Sequence, residues 1–193
     1  MNEIFDLLFK KVNEKVSLSE AEQEICKSFF IYKKIRKRQY LLQESEVCKY
    51  TAFVVKGSLR LYTVNEKGAE HVLQFALEGW IIADLYSFIT GEPSSYNIDA
   101  LEDTEVLLLS KSAQEEMVQL VPAIQQYYYL LMQNAYVALQ RRMTIAISQT
   151  ADEKYNNLLA TYPEIIQRVP QHMIASYLGF KPETLSRIRR KNL

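Results

Sequence analysis

Residues 167–193 read QRVPQHMIASYLGFKPETLSRIRRKNL, and how this stretch folds decides how the rest of the chain is organised. Ile174 and Leu178 stand one helical turn apart and so face inward together, while Ala175 is small where a second helix must cross closely. Gly179 occupies the sharp turn, where a positive φ is easiest for glycine, and Phe180 plugs the corner. Pro182 fixes φ for the first turn of a second helix whose inward face is Leu185 and Ile188. The small residue, the glycine and the apolar positions all fall at the steps a helix-turn-helix requires.

What remains outward on the second helix is Glu183, Thr184, Ser186, Arg187, Arg190 and Lys191, a set suited to hydrogen bonding. A recognition helix presents such residues to base edges in the major groove of double-stranded DNA: arginine bridges guanine O6 and N7, and a carboxylate accepts from cytosine N4. Arg187 and Glu183 are therefore the expected base readers. Thr184, Ser186, Arg189, Arg190 and Lys191, with Gln171 at the start of the first helix, are expected to position the backbone, because most protein–DNA hydrogen bonds go to phosphate and sugar. The plainer alternative is an ordinary helical hairpin with a solvated basic end.

Charge distribution favours the DNA reading. Across 193 residues, 23 basic and 23 acidic side chains cancel. From Ile166 onward, however, six basic residues face one acidic residue, a net of +5 that leaves −5 for the remainder. A basic terminal module thus follows a mildly acidic body.

Working back along the chain, residues 113–149 carry a sustained helical period. Tyr129, Met132, Tyr136, Leu139, Met143 and Ile147 form one apolar line; Ile124, Tyr128, Leu131, Ala135, Ala138 and Ile145 form another. A helix of about 26 residues would span roughly 40 Å, more than a small domain needs for its own core. Two lines imply two packing partners, the body on one side and the same helix of a second copy on the other.

Residues 34–109 read as short strands. YTAFVVKGSLRLYTV is rich in β-branched and aromatic residues, with Leu59, Leu61 and Thr63 alternating against Arg60 and Tyr62. Gly57 and the residues around Gly68 punctuate it, and HVLQFAL and TEVLLLS follow as further strands. Residues 3–31 have helical spacing broken near Ser17, with Ser19 and Glu22 spaced as a capping box. The expected fold is α+β: an antiparallel β-roll with short N-terminal helices over residues 1–112, a long dimerisation helix over 113–149, and a helix-turn-helix domain over 150–193.

Several function classes are excluded. Cys26 and Cys48 are too few for a zinc framework or an iron–sulfur cluster, and His71 and His172 are too isolated to hold a metal. An enzyme on a metal-binding roll would need clustered histidines, and His71 is alone in that region. The charged N-terminal stretch carries no signal-peptide core, and no run approaches about 18 uncharged apolar residues, so a soluble cytoplasmic protein without a membrane partner is expected.

The order roll, long helix, helix-turn-helix resembles the cyclic-AMP receptor protein/FNR family of transcription regulators across nearly the whole chain. VPQHMIASYLGFKPETLSRIRRK is the strongest match, with Glu183 to Arg187 similar to the family's recognition core; FVVKGSLRLY and EKGAEHVLQFALEGW are similar to its roll strands. The resemblance implies a homodimer joined along the long helix and binding a near-palindromic operator, with RNA polymerase as a further candidate partner. It also marks departures. The family's nucleotide cassette has Gly-Glu-Leu and later Arg-Ser or Arg-Thr; here Ala83-Asp84-Leu85 stands at the first element. Aligning residues 100–106 with the family's next strand puts Ser94-Ser95 at the second. With no guanidinium to clasp a phosphate and with Asp84 opposing one, cyclic AMP is not expected. Asp84, Ser94, Ser95 and Tyr96, with Trp80 and Tyr86, remain a candidate lining for some other small-molecule effector, the alternative being that they are core. The sequence ends soon after the recognition helix, so the family's β-hairpin wing is not expected. A competing function is a small-ligand sensor whose terminal module contacts a protein partner.

Overall fold

The computed structural model describes residues 3–191. Its chain divides into two units, one of Met1–Leu61 and Phe75–Gln133, the other of Tyr62–Gln74 and Asn134–Leu193.

In the first unit, α1 (Glu3–Asn13) and α2 (Glu20–Lys27) are separated by the capping box read from the sequence. Ser19 Oγ accepts from the Glu22 N–H at 3.3 Å, and the Glu22 carboxylate accepts from the Ser19 N–H at 2.8 Å. Strands then follow as β1 (Ile31–Ile35), β2 (Tyr40–Leu42), β3 (Tyr50–Lys56), β4 (Leu59–Val64), β5 (Glu70–Ala76) and β6 (Ile81–Ile82). After the short helix α3 (Leu85–Thr90) come β7 (Asn97–Ala100) and β8 (Thr104–Ser110). One sheet has the order β1-β8-β3-β6 and the other β2-β7-β4-β5, so the chain passes repeatedly between two four-stranded sheets and builds the expected antiparallel roll.

Strand β8 lies between β1 and β3, pairing Leu108 with Ile31 on one side and with Ala52 on the other. Its run of Val106, Leu107, Leu108 and Leu109 is buried throughout, as a central strand covered on both faces must be. Leu107 and Leu109 join Phe53 of β3, Leu8, Phe9 and Val12 of α1, and Cys26 of α2 in the core of this unit. Two details differ from the sequence reading. Residues 100–106, taken above as one strand, straddle the end of β7 and the start of β8, because the chain bends at 101–103 to change sheets. The alternation in β4 does not separate an inner from an outer face: Arg60 and Tyr62 are buried along with Leu59 and Leu61. Arg60 is tolerated inside because its Nε and Nη2 donate to the two carboxylate oxygens of Asp99 on β7, at 2.8 and 2.9 Å.

Helices α4 (Lys111–Leu120) and α5 (Pro122–Ser148) follow, broken at the fully buried Val121. Pro122 has no N–H to continue the ladder of α4 and pushes Val121 out of helical geometry, to φ −129° and ψ 86°. The first part of α5 packs Ile124 and Tyr127 into the core, with Tyr128 and Leu131 against it.

The second unit takes in the end of β4, most of β5 and the later part of α5, and holds α6 (Ala151–Thr161), α7 (Pro163–Arg168), α8 (Gln171–Leu178) and α9 (Pro182–Lys191). Thr150 and Glu153 form a second capping box at the start of α6. Pro163 stands at the first position of α7, directly after α6 ends. Tyr155, Leu158, Ile165, Val169, Ile174, Ala175, Leu185 and Ile188 are buried among these helices. Among the described residues no helix is long and apolar enough to cross a membrane.

Candidate nucleic-acid interface

The turn between α8 and α9 is built as its sequence demands. Gly179 caps α8 at φ 75°, and the Phe180 N–H bonds back to the Ala175 carbonyl at 2.8 Å, a Schellman-type closure. The chain then enters α9 at Pro182, with the Thr184 N–H on the Lys181 carbonyl at 3.0 Å. Leu185 and Ile188 are 1% and 2% exposed, which fixes the rotation of α9 about its axis.

With that rotation fixed, the outward stripe follows from about 100° per residue. Glu183, Arg187 and Arg190 lie at i, i+4 and i+7, opposite the buried pair, and all three are exposed. Thr184, Ser186 and Arg189 lie between the stripe and the buried pair and are half-buried. Lys191 is exposed, and its Nζ lies 3.3 Å from an Asp152 carboxylate oxygen at the start of α6. Gln171 is exposed at the start of α8. The field along α9 is graded: Glu183 sits in the first turn, where the helix end is positive, and Arg189, Arg190 and Lys191 sit in the last turn, where it is negative. The sequence reading gave no role to Lys181, which stands exposed in the turn beside the N-terminus of α9. Its place just before Pro182 was the available signal.

Of the candidate effector residues in the first unit, Asp84, Ser94 and Tyr96 satisfy one another. Asp84 is 4% exposed and caps α3, its carboxylate accepting from the Ser87 N–H at 3.3 Å and from Ser94 Oγ at 2.7 Å. Ser94 Oγ in turn accepts from the Tyr96 N–H at 3.0 Å. Ser87 Oγ accepts from the Cys48 N–H at 2.9 Å and donates to the Glu92 carbonyl at 2.5 Å. Ser95 is exposed, as is Tyr86, whose hydroxyl donates to Glu92 at 2.7 Å. This network ties the α3 loop to itself. No group of three or more metal-ligating side chains occurs among the described residues.

Roll, long helix and helix-turn-helix follow one another along the chain in the order expected from the sequence. The cyclic nucleotide-binding domain family matches residues 32–120. The chain is 24% identical to the fumarate and nitrate reduction regulatory protein of Vibrio cholerae, with 89% of this chain and 73% of that protein covered. It is 23% identical to electron transport regulator A of Shewanella oneidensis, over 81% of this chain and 66% of that one. Among solved structures, FixK2 from Bradyrhizobium japonicum has a TM-score of 0.68 at 22% identity, covering 84% of this chain and 83% of that chain. Over most of its length the chain is thus similar to these regulatory proteins, and residues 32–120 match the cyclic nucleotide-binding domain family.

Proposed function

We propose that this chain regulates transcription by binding a near-palindromic operator as a homodimer, with α9 of each copy in a major groove. The observation that carries the reading is the stripe of Glu183, Arg187 and Arg190, exposed as a set because Leu185 and Ile188 are buried behind it. Arg187 and Glu183 read bases; Arg190, Lys191 and Lys181 meet phosphates, with Gln171, Thr184, Ser186 and Arg189 in support. Dimerisation is supported by α5, whose Tyr129, Met132, Tyr136, Leu139, Met143 and Ile147 are exposed in one apolar line. A cytoplasmic location and contact with RNA polymerase accord with such a regulator.

Cyclic AMP is not the effector in this reading. Asp84, Ser94, Ser95 and Tyr96 supply no cation for its phosphate, and the buried Asp84 carboxylate repels one. Addition of cyclic AMP should leave the melting temperature and operator affinity unchanged.

Selection of bound sites from random duplexes, followed by binding of Arg187→Ala, tests the central reading. The variant should lose about 1 to 3 kcal/mol of discrimination at one base position in each half-site. A wild-type chain that enriches no sequence, or an Arg187→Ala chain with unchanged preference, would sink it.

A further inference from the structure

Strand β5 stands at the end of its sheet, so its outer backbone groups must be met from elsewhere. In the second unit one hydroxyl meets two of them. Ser176 Oγ, on α8, donates to the Glu70 carbonyl at 2.8 Å and accepts from the Val72 N–H at 3.0 Å. Glu70 and Val72 are two residues apart and present these groups to the same side of the strand, so a single side chain replaces a rung of the missing neighbour. Beside it, Arg142 of α5 donates through Nη1 to the Leu73 carbonyl and lies over the Tyr177 ring, 4.3 Å from its centroid. Residues from β5, from the later part of α5 and from α8 thus meet at one polar joint.

The joint lies one helix away from the recognition surface. Ser176 and Tyr177 directly follow Ile174 and Ala175, which are buried in the same core as Leu185 and Ile188 of α9. Gly179 and its Schellman closure leave little freedom between the two helices. Fixing α8 therefore fixes α9. The stripe of Glu183, Arg187 and Arg190 stays exposed while the joint is closed, so the joint holds the recognition helix without covering it.

We propose that Ser176 and Arg142 are positioning residues for operator binding: they pin α8, and through it α9, to the long helix and the β5 edge, and never touch DNA. This rests on the DNA-binding reading above. Hydrogen exchange of the Val72 amide and operator affinity are to be measured on the full chain, wild type against Ser176→Ala, Ser176→Thr and Arg142→Met. In Ser176→Ala the Val72 amide should exchange about tenfold faster or more, and affinity for the selected operator should fall at least tenfold. Its salt dependence should not change, since no phosphate contact is removed. Discrimination against operators with half-sites moved apart by about five base pairs, half a turn of DNA, should weaken, because the spacing of the two recognition helices is no longer held. Ser176→Thr, which keeps the hydroxyl, should restore both readouts, and Arg142→Met should repeat the loss without altering the helix-turn-helix. An unchanged Val72 amide in Ser176→Ala would remove the joint, and wild-type operator binding with an exposed amide would remove its role. A wild-type chain that binds no duplex would instead fail the parent reading and take this one with it.

Discussion

Two glycines separate what is strained from what is crowded. Gly179 has φ 75° and open space where a Cβ would stand, so Gly179→Ala should cost only the left-handed penalty, about 1 to 2 kcal/mol. Gly57 has φ 91°, and a Cβ there would lie 2.6 Å from Thr104 Oγ1 and 2.7 Å from the Asp103 carbonyl. Crowding adds to strain, and Gly57→Ala should lose about 3 to 5 kcal/mol. Denaturant unfolding of both variants measures the difference; equal losses would contradict it. Both glycines were legible as turns, yet only the atoms around Gly57 show that the turn closes against backbone. The cysteines also resolve at this scale. Burial, and secondarily the Glu22 charge, pushes the Cys26 thiol up to about 11; burial raises Cys48 as well. Neither should react with a thiol reagent at neutral pH until the chain unfolds, when both should. Rapid labelling of the native chain at either site would show the burial to be wrong.

Among the elements, the most legible were those whose period is set by one environment. β8 buries the continuous run Val106–Leu109, α9 buries Leu185 and Ile188 at helical spacing, and TEVLLLS marks β8 from its first residue to its last. Less legible were elements that borrow their stability. β1, IYKKI, is an edge strand exposed at four of five positions, so no alternation survives in its sequence. Helix α3 exists because Asp84 caps it and Gly91 ends it at φ 77°; its six residues are too few to show a period. In β4 the pattern itself misled, since a buried arginine looks like an outward one until its partner is known. Asp99→Ala takes the carboxylate from a buried guanidinium and should cost about 3 to 5 kcal/mol, whereas Arg60→Met with Asp99→Leu should be nearly neutral. Thermal unfolding separates the two, and a double variant as damaged as the single would argue against an ion pair replaceable by apolar packing. Helix α5 carries the complementary lesson. Of the second apolar line, Ile124 is buried and Tyr128 and Leu131 are packed against the first unit's core, Ala135 and Ala138 are exposed, and Ile145 is half-buried outside that core. The line ends where the core of the first unit ends. The first line, from Tyr129 to Ile147, is exposed along its length, and if the proposed dimer forms there a charge in its middle should prevent association: Leu139→Glu should then sediment as a monomer where the wild type sediments as a dimer. Unchanged sedimentation of the variant would move the subunit contact elsewhere.

The whole molecule has no net charge, and that makes its salt dependence informative. A uniformly cationic protein would bind any duplex through its mean field. Here the residues before Ile166 carry −5, so on the proposed reading attraction to DNA has to come from the few cations at the α9 end. On the dimeric reading, if each copy neutralises about three or four phosphates, six to eight counterions are released. The logarithm of affinity should then fall with the logarithm of salt at a slope of roughly −5 to −7. Arg190 is exposed on the stripe, and Arg190→Ala removes one contact from each copy. The slope should become shallower by about 2, and affinity should drop alike for operator and unrelated duplex. Lys191 competes with its own partner, since Asp152 lies 3.3 Å from its Nζ, and both ends of that pair are solvated. Lys191→Ala should therefore change the slope less than Arg190→Ala does. Titrations at four or five salt concentrations resolve slopes of this size. A wild-type slope near zero would mean that the basic end meets something other than a phosphate backbone, whereas a slope change confined to the operator would move Arg190 from phosphate to base.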